Sequence, residues 1–224
     1  MRFVHRIFWE GSRALLPVLP TVLALTWFQW CSHAIESHGF ALRTGLAYIG
    51  ISLGLTISLP LLVVALKWVL LGKVRAGQHG LWSGWCCRWD FLYVTWNLYA
   101  RPLVSALEGT VMLAWFLRAM GAKIGRRVIL GGAFAQVVDP DMLNFEEGST
   151  VSGIFQAHTF EDRVLKIAPL HLRKDSTLAA SALMFYGANL GQGAQVAPQA
   201  VIMKEEHLTV GRRYSGSPCQ PEAE

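Results

Sequence analysis

The sequence predicts a protein of mixed class, in which two transmembrane helices and further interfacial helices precede a parallel β-helix built on a hexapeptide repeat. Two long runs without Lys, Arg, Asp or Glu lie near the N-terminus, and an aliphatic or thioether side chain later returns at every sixth position between residues 172 and 202. These observations divide the chain into a transmembrane hairpin (1–72), an interfacial or amphipathic helical connector (73–120), a β-helix domain (121–218) and a disordered tail (219–224).

The two uncharged runs predict the membrane hairpin. They cover residues 14–35 and 44–66 and contain 22 and 23 residues, which is enough to cross a hydrocarbon core of roughly 30 Å. Pro17, Pro20 and Pro60 are tolerated better in membrane helices than in soluble ones, because neighbouring groups satisfy the freed carbonyls. A retained anchor is favoured for the first run.

A cleaved signal peptide is the alternative for that first run, since basic residues precede it and small residues follow. The run is longer than the usual signal core, and its Trp27 and Trp30 are typical of an interfacial belt. Basic residues flank the outer ends of both runs, which places both chain ends, and the β-helix, on the cytoplasmic side of the inner membrane. These are Arg2, Arg6 and Arg13 before the first run and Lys67, Lys73, Arg75 and Arg88 after the second.

The connector is rich in aromatic residues and is interrupted by charges. That pattern indicates helices lying in the membrane interface rather than a third span. The alternative is a helical layer that caps the end of the β-helix. The aromatic residues are Trp82, Trp85, Trp89, Tyr93, Trp96 and Tyr99.

The six-residue period predicts the β-helix, because helices repeat near 3.6 residues and half-buried strands at two. In a three-sided coil each side contributes about six residues, one large side chain points inward, and small residues occupy the crowded corners. A loop with chance spacing is the alternative. The large positions are Leu172, Leu178, Met184, Leu190, Val196 and Ile202, and the small positions are Ser176, Ala182, Ala188, Ala194 and Ala200.

Charge and cysteine content exclude several classes of function. The net charge is +5, but residues 1–120 hold ten Lys/Arg against four Asp/Glu, whereas residues 121–224 hold ten against eleven. The basic excess therefore belongs to the apolar half, which indicates contact with anionic lipid and excludes nucleic acid as a main partner. The four cysteines form no CxxC motif and no zinc-ligand spacing, so no metal and no disulfide framework is expected.

Four segments in one order support a resemblance to a known family. They are "KWVLLGKVRAGQHGLWSGW", "LRAMGAKIGRRVIL", "QAHTFEDRVLK" and "YSGSP". Over about residues 60–218 the chain resembles the membrane-embedded C-terminal region of nonribosomal peptide synthetases typified by ε-poly-lysine synthetase. The resemblance implies membrane-helix pairs alternating with domains of the hexapeptide-repeat acyltransferase type, which form a left-handed parallel β-helix and join amino-acid units delivered as thioesters.

The chain departs from that family in several respects. The family usually places Gly and an acidic turn residue after the aliphatic residue of a repeat, whereas the pairs here are Phe145-Glu146 and Leu172-Arg173. The sequence also shows one hairpin and one β-helix, without an adenylation or carrier domain. We therefore expect adenylation and carrier proteins to act in trans as partners, or the chain to be a fragment or degenerate copy.

His158 is the candidate catalytic base, because transfer from a thioester to an amine requires an acceptor for the amine proton. It lies where "AHTFEDRV" breaks the period, and Glu161 or Asp162 is predicted to orient its imidazole. Arg163 is predicted to hold the second carboxylate or to contact an anionic carrier arm. The alternative is that His158 caps a turn beside a solvated charge cluster.

The donor is expected to be a phosphopantetheine thioester on a carrier protein or an acyl-CoA, with no tightly bound cofactor. Arg212 and Arg213, near the chain exit, are candidates to bind its phosphate, and an exposed basic pair without that role is the alternative.

Two functions from different classes remain open. The first is a membrane-bound acyl or aminoacyl transferase that forms a peptide or isopeptide bond. The second is a non-catalytic membrane scaffold or truncated remnant that docks a separate synthetase. Transport ranks third, because two spans without a charged residue enclose no pathway unless the chain forms a homo-oligomer.

Overall fold

Helices form the N-terminal half of the computed structural model, which describes residues 3–39, 42–132 and 139–222. In chain order the helices are Phe3–Leu15 (α1), Val18–His38 (α2), Leu42–Leu70 (α3), Gly84–Thr95 (α4), Arg101–Ala106 (α5) and Val111–Ala119 (α6). A π-helical turn, Trp96–Ala100, joins α4 to α5, and a 3-10 turn, Pro140–Met142, lies between the strands.

Helices α2 and α3 form the predicted hairpin, and both are long and apolar enough to cross a membrane. Their 21 and 29 residues correspond to roughly 31 and 43 Å of helix. Tyr48 joins them by donating a hydrogen bond to the Cys31 carbonyl at 2.8 Å. Large apolar side chains on both helices are exposed, as in a lipid-facing surface. They include Leu25, Phe28, Leu46, Ile49, Leu53 and Ile57.

The first predicted run, residues 14–35, is not one uninterrupted α-helix, because a turn at Leu16 and Pro17 separates α1 from α2. Proline has no N–H to continue the helical hydrogen bonds, and Leu16 instead closes a turn onto the Arg13 carbonyl. Helix α1 is therefore separate from the hairpin. It packs on α4, where Arg13 forms an ion pair with Asp90.

The C-terminal half consists of short parallel strands arranged in three sheets. One sheet has the order β15-β12-β9-β4-β2, the second β16-β13-β10-β5-β3 and the third β14-β11-β6. The strands of the first sheet are Lys123–Ile124 (β2), Leu143–Phe145 (β4), Leu170–Leu172 (β9), Asn189–Leu190 (β12) and His207–Leu208 (β15). Those of the second are Ile129–Leu130 (β3), Thr150–Val151 (β5), Thr177–Leu178 (β10), Gln195–Val196 (β13) and Arg213–Ser215 (β16), and those of the third are Ile154–Gln156 (β6), Leu183–Phe185 (β11) and Val201–Ile202 (β14).

The period-six residues lie inside this coil, which confirms the prediction made from their spacing. All six predicted large side chains are at most 1% exposed, and the five small residues two positions before the last five are fully buried. Strand register aligns equivalent positions of successive turns, for example Val151, Leu178 and Val196. The coil interior is therefore a stack of one large residue per side and per turn.

A β-hairpin interrupts the coil where the period breaks. Its strands are His158–Glu161 (β7) and Val164–Ile167 (β8), and β8 also pairs antiparallel with Gly77–Gly80 (β1) from the connector. Asp162 and Arg163 both have positive φ, as a two-residue type I′ turn requires. The hairpin is thus attached to the helical half through β1.

The connector forms a helical layer, which is the alternative considered for its sequence. Trp89, Trp96 and Tyr99 are buried. The Trp68 indole of α3 donates to the Ala119 carbonyl at 2.8 Å, and α6 leads into β2. The layer thus packs between the C-terminal part of α3 and the first turn of the coil.

The predicted disordered tail is ordered over 219–222, and residues 223–224 lie outside the described range. Gln220–Pro221 (β17) pairs antiparallel with β16. Cys219 is buried, and its N–H donates to the Val201 carbonyl at 2.8 Å. These contacts over the last turn of the coil explain why the polar composition did not produce a free tail.

Candidate active site

His158 opens β7 and is the residue around which the candidate site is built. Its Nδ1 atom lies 2.6 Å from Oδ2 of Asp139. The side chain of Asp139 is 2% exposed and that of His158 is 18% exposed. A nearly buried carboxylate therefore meets an imidazole that keeps limited access from outside.

The Asp139 carboxylate determines which nitrogen of His158 carries the proton. A carboxylate only accepts hydrogen bonds, so Nδ1 is the donor and Nε2 of the neutral ring keeps its lone pair. An imidazole held in this tautomer by a buried carboxylate is arranged as a general base.

Trp89 of α4 fixes the other oxygen of Asp139. The indole Nε1 donates to Oδ1 at 2.7 Å in a buried hydrogen bond. The Trp89 ring also meets His158 edge to face at 4.9 Å between centroids, and Phe160 lies 5.7 Å from the imidazole. The helical half and the hairpin thus enclose the dyad in an aromatic environment.

In the structure the carboxylate that contacts His158 belongs to Asp139, not to Glu161 or Asp162 as predicted. Glu161 does not perform this role, because its carboxylate accepts hydrogen bonds from Lys166 at 2.8 Å and from Lys204. Alternate residues of a strand face opposite sides. His158 and Phe160 face Trp89, whereas Glu161 faces away toward the coil.

The hydrogen bonds from Lys166 and Lys204 lower the pKa of Glu161 to about 2. Glu161 is thus a charged tether between the hairpin and the coil. Asp162 and Arg163 form the exposed turn of the hairpin, and the Arg163 carbonyl accepts from the Leu81 N–H.

Arg212 and Arg213 lie in the last turn of the coil and are exposed. The Arg213 guanidinium donates to Gln195 at 3.0 Å and lines a cavity of about 250 Å³ with Tyr214 and Glu222. That cavity shares no lining residue with the cavity beside His158. Arg212 and Arg213 remain candidates for contact with an anionic donor.

A cavity of about 210 Å³ is lined in part by Trp89 and Phe160, the two aromatic residues that contact His158. Helix α1 contributes Trp9, the segment before α4 contributes Trp82, α4 contributes Trp89 and the hairpin contributes Phe160. Because Trp89 and Phe160 also contact the imidazole, they separate the cavity from His158 by a single layer of side chains.

The charged residues that line this cavity are paired with one another. Arg6 lies 2.5 Å from Glu10, Arg13 pairs with Asp90, and burial raises the pKa of the Asp90 carboxyl. Burial also raises the pKa of the Cys86 thiol in the wall to about 11. Cys86 is therefore protonated near neutral pH and is a poor nucleophile. The described residues include no cluster of three His, Cys, Asp or Glu that could hold a metal.

The sequence predicts His158 as the base but does not predict the residues that contact it in the structure. Asp139 stands 19 positions earlier, in the segment Asp139-Pro140-Asp141. A proline between two acidic residues is a turn signal, but it does not indicate where the carboxylates point. Lys67 was assigned only to membrane topology, and in the structure it forms a buried ion pair with Asp141 at 2.7 Å.

Comparison with known proteins gives a relative for nearly the whole chain. No family model matches the sequence. A Delta-poly-L-ornithine synthetase from Acinetobacter baumannii is 28% identical over 228 residues, which cover 98% of this chain and 17% of that protein. The chain thus spans about a sixth of the length of this relative. The similarity includes both the helical half and the coil.

Two solved structures of acetyltransferases are also similar. A maltose O-acetyltransferase from Clostridium difficile is 10% identical with a TM-score of 0.44, covering 70% of this chain and 95% of that one. A hexapeptide-repeat acetyltransferase from Vibrio cholerae, solved with acetyl coenzyme A, is 10% identical with a TM-score of 0.42, covering 54% and 82%.

Proposed function

We propose that this chain is a membrane-anchored acyl or aminoacyl transferase module that forms an amide bond between a thioester-activated unit and an amine. The carrying observation is the buried Asp139 carboxylate on Nδ1 of His158, beside an aromatic cavity. The similarity to a synthetase whose name specifies a poly-amino acid supports an aminoacyl unit.

In the proposed step the acceptor amine attacks the carbonyl carbon of the thioester. The new C–N bond forms as the C–S bond breaks, and His158 Nε2 takes a proton from the amine nitrogen. The imidazolium, stabilised by Asp139, then returns that proton to the leaving thiolate. The residues of this chain supply the base and its orientation.

The proposed donor is a phosphopantetheine thioester on a carrier protein acting in trans, with acyl-CoA as the second donor. The relative's name makes L-ornithine the first unit to test. We place the coil, as a left-handed β-helix, on the cytoplasmic side of the inner membrane. The basic residues Arg13 and Lys73 at the outer ends of the hairpin support this orientation.

The test uses the full chain in lipid nanodiscs with L-ornithyl-S-phosphopantetheine as donor and L-ornithine as acceptor. Dipeptide formation is measured by mass spectrometry. His158→Ala should lower the rate about 10²-fold or more, because a positioned base contributes that much. His207→Ala is the matched control, since His207 is an exposed histidine on β15.

An undiminished rate in His158→Ala would refute the transferase proposal. Together with retained binding of a carrier or adenylation protein, that result would support the alternative, a non-catalytic membrane scaffold. The eroded repeat pairs Phe145-Glu146 and Leu172-Arg173 favour this second reading. Repeating the assay with L-ornithyl-CoA distinguishes the two donors.

A further inference from the structure

The 3-10 turn at Pro140–Met142 connects the candidate dyad to the membrane hairpin. On one side of Pro140, Asp139 holds His158 at 2.6 Å; on the other side, Asp141 holds the ammonium of Lys67 at 2.7 Å. Lys67 belongs to α3, the second helix of the hairpin. Two carboxylates separated by one proline thus join the site to a candidate membrane-spanning helix.

The Lys67–Asp141 pair is among the most deeply buried charged groups of the described chain. The two side chains are 1% and 3% exposed. The Lys67 ammonium also lies 3.6 Å from the centroid of the Trp68 ring. A buried pair of charges tolerates the loss of one partner poorly, because the other charge is left uncompensated. Asp141 is therefore held in place by Lys67.

The backbone around the pair is shaped to admit it. Gly121 has φ of +113°, and a Cβ at this position would overlap the Asp141 carboxylate and lie 3.1 Å from the Lys67 nitrogen. Only glycine provides both this backbone angle and this space. The junction between α6 and the coil therefore leaves a fitted space for the ion pair.

The connection from Asp141 to Asp139 is short and stiff. Pro140 fixes its own φ, and the Met142 N–H closes the turn on the Asp139 carbonyl at 3.0 Å. A change in the position of Asp141 is thus transmitted to the Asp139 backbone. The Asp139 carboxylate would then have to reach His158 Nδ1 and Trp89 Nε1 from a changed backbone position.

We propose that Lys67 is a positioning residue, which acts through Asp141 to hold the Asp139 carboxylate on Nδ1 of His158. The tautomer of His158 then depends on the seating of α3 against the turn. The catalytic consequence of this inference rests on the proposed function, whereas the structural consequence does not.

The experiment reads the tautomer directly. The full chain, with ¹⁵N-labelled histidine, is studied in lipid nanodiscs by NMR at a pH where the imidazole is neutral, and Asp139→Asn and His158→Ala assign the signal. In the wild type His158 should carry its proton on Nδ1. In Lys67→Met the signal should shift toward the Nε2–H form, and Lys67→Arg, which keeps the charge, should restore the Nδ1–H form at least in part.

Lys166→Met is the matched control, because its ammonium pairs with Glu161 in the same hairpin but away from the dyad. It should leave the His158 signal unchanged. Where Lys67→Met does not fold, as judged by circular dichroism, Lys67→Met/Asp141→Leu removes both charges together and should fold with the same shift. Retention of the wild-type tautomer in either folded variant would overturn the inference.

The two proposals fail separately. A tautomer shift in Lys67→Met, in a protein whose wild type forms no dipeptide, supports the positioning role and counts against the transferase. In an active enzyme Lys67→Met should reduce kcat about 10-fold with little change in KM, since the turn orients the base rather than binding substrate.

Discussion

The coil and the helical half are stabilised in different ways. In the coil, each large inward residue is covered by equivalents one turn above and below, so a local repeat determines what is buried. In the helical half, burial depends on contacts between distant segments, such as that between Tyr99 and Leu16, which are both buried and are joined by a hydrogen bond from the Tyr99 hydroxyl to the Leu16 carbonyl. A sequence period can reveal the first kind of core, but it cannot reveal the second.

The largest expected effect on stability comes from truncating a stacked residue of the coil. Leu190→Ala should lower the free energy of unfolding by about 2–5 kcal/mol, because Leu190 is fully buried and its neighbours are fixed by the repeat. The matched variant is Leu53→Ala in helix α3, where the side chain is 57% exposed. It should lower the free energy of unfolding by less than about 1 kcal/mol. Denaturant unfolding of the full chain in detergent measures both.

Equal losses in the two leucine variants would contradict the comparison. That result would mean that the exposed face of helices α2 and α3 is packed against protein rather than against lipid or detergent.

Two glycine-to-alanine substitutions, one in the coil and one in α3, are expected to differ by a smaller amount in stability. In Gly153→Ala the new Cβ would lie 2.5 Å from Leu178 Cδ2 and 2.6 Å from the Ala182 carbonyl, and relieving this overlap should cost about 1–3 kcal/mol. Gly50→Ala in α3 meets nothing within 4 Å and should cost nothing, because alanine favours helix. The thermal midpoints of the two variants give the comparison, which fails if they shift together.

The smallest effect concerns Glu161, which connects the β-hairpin β7–β8 to the coil through its ion pairs. The folded-state pKa of Glu161, about 2, is below the ordinary 4.5, so its pairs with Lys166 and Lys204 stabilise the fold above pH 4.5. That contribution is lost as the pH falls from 4.5 toward 2. Hydrogen exchange of the β7–β8 amides should become faster over this pH range, after correction for intrinsic exchange rates.

Glu161→Gln should remove most of that pH dependence and leave the coil amides unaffected. An unchanged pH response in this variant would assign the effect to another group.

The sequence predicted those features that depend on neighbours along the chain. Leu178 and Met184 were placed inside the coil from spacing alone, and the break in the period correctly located an excursion containing His158. The two apolar helices were also predicted, and within the first run the structure adds a turn at Leu16 and Pro17 before α2.

The partners of His158 could not be predicted, because they arise from tertiary contacts. Asp139 and Trp89 come from a turn and a helix 19 and 69 positions away from His158. Glu161 is closer in sequence, but strand alternation directs it to the opposite side. The spacing of charges predicted a carboxylate beside His158, but it indicated Glu161 or Asp162 whereas the structure has Asp139 there.

The pairing of β1 with β8 has a consequence for biosynthesis. Gly80 faces Val164 in this sheet, so β1 leaves the ribosome more than 80 residues before its partner strand exists. Contacts between segments so far apart in the chain form late, because the intervening loop must first be closed. The β1 edge therefore stays unpaired until β8, which pairs with it, has been synthesised.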